Sequence, residues 1–161
     1  KFVILLRDPK KRAISQYNFQ NYVNKSEVCD PLPFSQAIRS WESRYVSDEN
    51  MRFYSEYKHY SYVERGFYYE QMVRWLSLFP RNQFYIMFLE ELNENFADEI
   101  LQLFEFLGLE YNGKPFNQTR YNKSDFAEAP GLKLDDEQFL DALYKPHNQK
   151  LFEFLNKEPI W

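Results

Sequence analysis

An α/β fold with a mostly parallel sheet is predicted by three features of the sequence. Phe2-Val3-Ile4-Leu5-Leu6 and Phe84-Tyr85-Ile86-Met87-Phe88 are continuous apolar runs of strand length, the form taken by strands covered on both faces. Each run is followed by a segment of helical character, so strand and helix alternate. No internal repeat and no low-complexity tract interrupts that alternation.

The first strand ends at Arg7. Asp8 suits a helix N-cap, Pro9 suits the first helical position, and nothing from Lys10 to about Tyr22 breaks a helix. Asn24 to Pro33 is polar with two prolines and reads as a loop. Phe34 to about Tyr45 reads as a short helix with Ala37, Ile38, Trp41 and Tyr45 on one stripe. Val46 to Tyr62 is polar and tyrosine-rich and has no assignable period. Val63 to Leu78 is helical in pattern, with Phe67, Val73 and Leu76 among its apolar positions, and Phe79-Pro80 closes it. After the second strand, Leu89 to Leu92 leads into a helix from about Phe96 to Leu107, with Gly108 as a left-handed cap. Gly113 to Leu134 reads as a long loop. Asp135 is the expected cap of a final helix to about Leu155, which Pro146 is expected to kink or split.

At 161 residues with 44% hydrophobic content, the chain is predicted to be one globular domain spanning 1–161. The net charge of -4 argues against nucleic acid as a partner and favours a small anionic ligand held by a local basic patch. Cys29 is the only cysteine, which excludes an internal disulfide and a cysteine-based zinc cluster, and two histidines make a protein-held zinc site unfavoured. No apolar run approaches the roughly 20 residues of a membrane helix. The chain starts inside a strand without an initiator Met, so a preceding portion is expected. Asn24, Asn117 and Asn122 head glycosylation sequons, which matter only in a lumenal or secreted protein.

In an open α/β sheet, anions collect where a strand ends and a helix begins, since unsatisfied N–H groups and the helix dipole favour them there. Arg7 stands at that point, and its planar fork matches phosphate geometry. Arg12 and Ser15, three apart, share a helical face and are candidates for the same anion. From these residues alone, phosphate binding and a plain structural role, with Arg7 paired to a carboxylate, stand level.

The stretch RDPKKRAISQY resembles the 3'-phosphate-binding motif of sulfotransferases that use 3'-phosphoadenosine 5'-phosphosulfate (PAPS), where an arginine ends a strand and a serine eight residues later lies on the next helix. The resemblance implies that Arg7 and Ser15 grip the 3'-phosphate of PAPS, or of the product 3'-phosphoadenosine 5'-phosphate (PAP); Arg12 stays a cofactor-binding candidate from its spacing to Ser15. GFYYEQMVRWLSLFPRNQFYIMFLEELNENFADEILQLFEFLGL and LYKPHNQKLFEFLNKEPIW are similar to the carbohydrate, or heparan-sulfate-like, branch of that family. The implied fold is a three-layer α/β/α relative of P-loop kinases, present in part.

The chain also departs from the family pattern. The glycine- and hydroxyl-rich 5'-phosphosulfate loop has no counterpart here, and the places of the family's glutamate or histidine base would lie before Lys1, so the catalytic residues stay unassigned. The family's later basic loop has no clean counterpart; its position corresponds to 116–124, where Arg120, Tyr121 or Lys123 is a candidate for covering the nucleotide. The lack of paired cysteines favours a bacterial, cytoplasmic enzyme, with a Golgi-lumenal one as the alternative.

Other candidates are weaker. His59, among Tyr57, Tyr60 and Tyr62, is a formal candidate base without a recognisable partner, and His147 reads as structural. Glu90, Glu91 and Glu94 follow the second strand where a kinase-like fold places a metal carboxylate, but a solvated acidic helix start is favoured. The aromatics Trp41, Tyr45, Phe53, Tyr54, Tyr57 and Tyr60 could line an acceptor cleft, against the safer reading of core packing. The predicted function is transfer of a sulfuryl group from PAPS to a hydroxyl or amine of a small-molecule or oligosaccharide acceptor, carbohydrate foremost. The alternatives are an ATP-dependent phosphotransferase of the P-loop kinase type, or a non-catalytic nucleotide- or glycan-binding fragment.

Overall fold

The computed structural model of the chain describes residues 1–23, 29–46, 59–114 and 130–161. These fall into two compact units, one within Lys1–Asp8, Glu70–Asn122 and Ile160–Trp161, the other within Pro9–Tyr69 and Lys123–Pro159. No described helix is long and apolar enough to cross a membrane.

The first unit holds the sheet. Strands β1 (Phe2–Leu6) and β2 (Phe84–Phe88) pair in parallel, with Phe2 opposite Phe84 and Leu6 opposite Phe88, so both strands end at the same edge. Side chains alternate between faces. Phe2 stacks on Phe84 at 4.8 Å and meets Phe79 and Trp75 at 4.8 and 5.7 Å. On the opposite face Tyr85 stacks on Phe106 at 5.4 Å. The α/β reading therefore holds as a partial sheet with helices on both faces, but the expectation that β1 is buried on both sides does not. Val3 and Leu5 are 46% and 51% exposed, so the face they share on β1 is largely uncovered among the described residues.

Helix α1 (Pro9–Asn18) starts at the proline, as its restricted φ favours, and passes into a π turn over Phe19–Val23. The segment expected as one helix from Phe34 is two, α2 (Phe34–Arg39) and α3 (Trp41–Val46). Between them Ser40 donates its hydroxyl to the Ala37 carbonyl at 3.1 Å, and Ser43 donates to the Ser40 carbonyl at 2.8 Å, bonds that compete with the helical ladder. The helix expected from Val63 begins later, as α4 (Tyr68–Leu78), after a 3₁₀ turn over Glu64–Gly66. Its start is displaced because the Val63 carbonyl accepts the buried Tyr144 hydroxyl at 2.9 Å and the Gly66 N–H at 2.8 Å.

After β2 come α5 (Leu89–Glu94) and α6 (Phe96–Leu107). Gly108 ends α6 at φ 77°, with the Leu109 N–H donating to Phe104 across the cap at 2.9 Å. Helix α7 (Leu134–Leu155) departs from expectation twice. Lys133, not Asp135, occupies its N-cap, and Asp135, Asp136 and Glu137 form an acidic first turn that complements the dipole. The helix also runs on through Pro146 and is not split there. The proline removes one ladder bond, to Ala142, while Leu140, Tyr144, Leu151 and Phe152 are buried on either side of it; packing outweighs local propensity here.

The core of the second unit is Ala13, Tyr17, Phe34, Ala37, Ile38, Tyr62, Val63, Leu140 and Tyr144, which ties α1, α2 and α7 to the turn before α4. Buried Asp136 accepts from Ser35 Oγ and from Arg39 Nη1, each at 2.5 Å, and joins α2 to α7. Lys10 pairs with Asp141 at 2.6 Å and joins α1 to α7.

Gly66 packs directly against the Tyr144 ring of this core. A Cβ there would lie 2.6, 2.7 and 2.7 Å from Cε1, Cζ and Oη of Tyr144. Gly66→Ala should therefore cost about 1–3 kcal/mol by overpacking, seen as a lower urea midpoint at unchanged slope; a change within about 0.5 kcal/mol would mean the ring moves aside without cost. Burial pushes the Tyr144 phenol above its ordinary value of 10.0. Because the folded pKa is the raised one, this stability is present below pH 10.0 and is lost as pH rises beyond it. Tyr144→Phe should cost about 1 kcal/mol near pH 7, and its deficit should shrink above about pH 10. A deficit constant from pH 7 to about 11 would contradict the assignment.

Candidate functional site

The carboxyl edge of the sheet is formed by two strand ends in register. Beyond Leu6 the chain continues as Arg7 and Asp8, and beyond Phe88 as Leu89 and Glu90. Arg7 is half-buried and Asp8 is buried. The Asp8 N–H belongs neither to the β ladder nor to α1, which begins at Pro9. A buried N–H in that position needs an acceptor, and Glu90 Oε1 supplies it at 3.1 Å. Glu90 Oε2 is buried and has no partner among the described residues.

On α1, the face carrying Arg12 and Ser15 is fixed by hydrogen bonds within its own unit. Arg12 Nη1 donates to Gln16 Oε1 at 2.7 Å and Nη2 donates to the Tyr62 carbonyl, while Nε is buried without a partner among the described residues. Gln16 Nε2 in turn donates to the His59 carbonyl at 3.2 Å. Tyr17, placed by the sequence in a packing role, is buried and donates its hydroxyl to Leu32 at 3.0 Å. Ser15 is half-buried on the same helix.

Arg7 thus stands at the end of β1, and Ser15 and Arg12 lie one turn apart on α1. Arg12 is more occupied than its sequence setting suggested, since two of its nitrogens hold the helix to Tyr62 and Gln16. Arg120, Tyr121 and Lys123 lie outside the described residues, as do Phe53, Tyr54, Tyr57 and the sequon asparagines. His147 packs its ring on Phe67 at 4.3 Å, and Trp41 meets Phe67 edge-on at 5.5 Å, both packing contacts. Among the described residues no group of three or more His, Cys, Asp or Glu is placed to hold a metal. Glu90, weighed from the sequence as a metal carboxylate or a solvated helix start, has a different observed partner. The signal that locates it is the strand register, which sets positions 8 and 90 two residues past aligned ends.

Three similarities to known proteins bear on this arrangement. A family model described as the sulfotransferase domain matches residues 1–128. A membrane-associated sulfotransferase of Dictyostelium discoideum is 20% identical, the match covering 100% of this chain and 48% of that protein. The crystal structure of a sulfotransferase from Alicyclobacillus acidocaldarius matches with a TM-score of 0.71 at 21% identity, over 98% of this chain and 55% of that one, a likeness of fold. The chain spans about half the length of these relatives.

The Arg12 network generates a stability prediction. Arg12→Ala leaves the Tyr62 carbonyl and Gln16 without their donor and should destabilise the protein by about 1.5–3 kcal/mol. Arg12→Lys should recover only part of that, because one ammonium cannot reproduce the two-pronged contact. Chemical denaturation of both variants checks this, and an alanine variant as stable as the parent would show that the network carries no net energy.

Proposed function

The chain belongs to the sulfotransferase domain family, and we propose on that basis that it is the nucleotide-anchoring part of an enzyme that transfers a sulfuryl group from PAPS to a hydroxyl or amine. The observation that carries the reading is the junction from β1 to α1, where an arginine follows a strand directly and a helix starts two residues later. Arg7 and Ser15, each half-buried, carry the group types that suit a phosphate dianion, a planar guanidinium fork and a hydroxyl.

On this reading Arg7 contributes a two-pronged, charged contact to the 3'-phosphate and Ser15 contributes a hydroxyl. Arg12, tied to Tyr62 and Gln16, keeps the Ser15 face of α1 in place and adds positive charge to it. Tyr121 and Lys123 are proposed to cover the nucleotide because they occupy the position that corresponds to the family's basic loop. PAPS when bound supplies the activated sulfuryl group. The residues of this chain bind and orient it, which is the larger part of what an in-line displacement asks of a protein. A carbohydrate is the proposed acceptor, supported by the similarity of 66–109 and 143–161 to the carbohydrate branch.

Calorimetric titration of the full-length protein with PAP and with 5'-AMP tests the reading. PAP should bind more tightly, and Arg7→Ala should reduce that preference by about 1.5–3 kcal/mol, the scale of a charged hydrogen-bonded contact. Equal binding of the two ligands, or a preference untouched by the substitution, would overturn it.

A further inference from the structure

We propose that Glu90 is a positioning residue for Arg7: its carboxylate fixes the peptide that follows Arg7, and so sets the direction in which the guanidinium leaves the sheet. The inference rests on the 3'-phosphate reading of Arg7. Its physical basis is the bond from the Asp8 N–H to Glu90 Oε1 at 3.1 Å. That N–H is in the same rigid plane as the Arg7 carbonyl, so anchoring it restricts rotation about the Arg7 Cα–C bond. The side chain of Arg7 leaves from the other end of that bond, and its aim follows.

The bond also occupies a particular place in the fold. The β1–β2 ladder stops at Leu6 and Phe88, and β2 turns immediately into α5. Had β2 continued, its own backbone would supply an acceptor on that side of the chain, where the Asp8 N–H points. Glu90 substitutes a side-chain oxygen for the missing strand. This carries the order of the sheet two residues past its edge, to the point where the chain must leave for α1. A carboxylate is suited to the task, since a charged acceptor holds an amide more strongly than a neutral one.

The acceptor, more than the charge, is what the role requires, and substitutions separate the two. Glu90→Gln keeps an oxygen in place and removes the charge, Glu90→Asp keeps the charge and withdraws the oxygen by a methylene, and Glu90→Ala removes both. In the full-length protein, titrated with PAP and 5'-AMP, the preference for PAP should fall about tenfold in Glu90→Ala, by an intermediate factor in Glu90→Asp, and less than about threefold in Glu90→Gln. Amide hydrogen exchange should show the Asp8 N–H losing protection in the same order. Should Glu90→Ala fail to fold, the Gln and Asp variants carry the comparison.

A merely structural Glu90 would lower stability and leave the ratio of PAP to 5'-AMP affinity as in the parent, and that result would overturn the inference. Equal loss in the Gln and Ala variants would also overturn it, by making charge the operative feature. A parent protein with no preference for PAP would instead overturn the nucleotide reading itself, and the purpose given to Glu90 with it. The two failures are read from different samples.

Discussion

Parallel pairing of Phe2–Leu6 with Phe84–Phe88 is the constraint on which the candidate site depends. Two parallel strands in equal register deliver their ends to one edge, and the segments that follow must begin there. Arg7 and Asp8 leave from one strand, Leu89 and Glu90 from the other. The aromatic contacts of Phe2 with Phe84, Phe79 and Trp75 anchor this register at the far end. A slip of one residue would move these rings to the opposite face and would part Asp8 from Glu90. A hydrophobic cluster at one end of the sheet thus guards the polar geometry at the other.

The second unit is organised differently, around polar anchors inside a helical core. Asp136 holds Ser35 and Arg39, Tyr144 caps the Val63 carbonyl, and Arg12 reaches the Tyr62 carbonyl. Each is a buried or half-buried group whose partner lies on another element, so each fixes an orientation that apolar packing alone would leave looser. α1 receives two of its ties this way, through Arg12 and Gln16, and both go to the segment just before α4.

Much of this was legible in the sequence where the signal is local. Both strands coincide with their apolar runs, α1 begins at Pro9, and α6 ends at Gly108, since chain stiffness, a missing N–H or a left-handed φ acts within a few residues. What could not be read were effects of distant partners. Nothing near Val63 announces that Tyr144 will take its carbonyl and delay α4, and nothing near Pro146 says that packing on both sides will carry α7 through it. Arg7 and Ser15 are singled out because their spacing resembles a motif. Glu90 was visible only as one of several acids, because its meaning lies in the register.

The bond between Asp8 and Glu90 joins residues 82 apart in sequence. Parallel pairing over such a span requires closure of a long loop before any contact repays it. On a ribosome, β1 and the start of α1 emerge well before β2 exists to receive them. The strand end that bears Arg7 is therefore synthesised well before the partner that fixes its final shape, and the edge of the sheet exists only once both strands have been made.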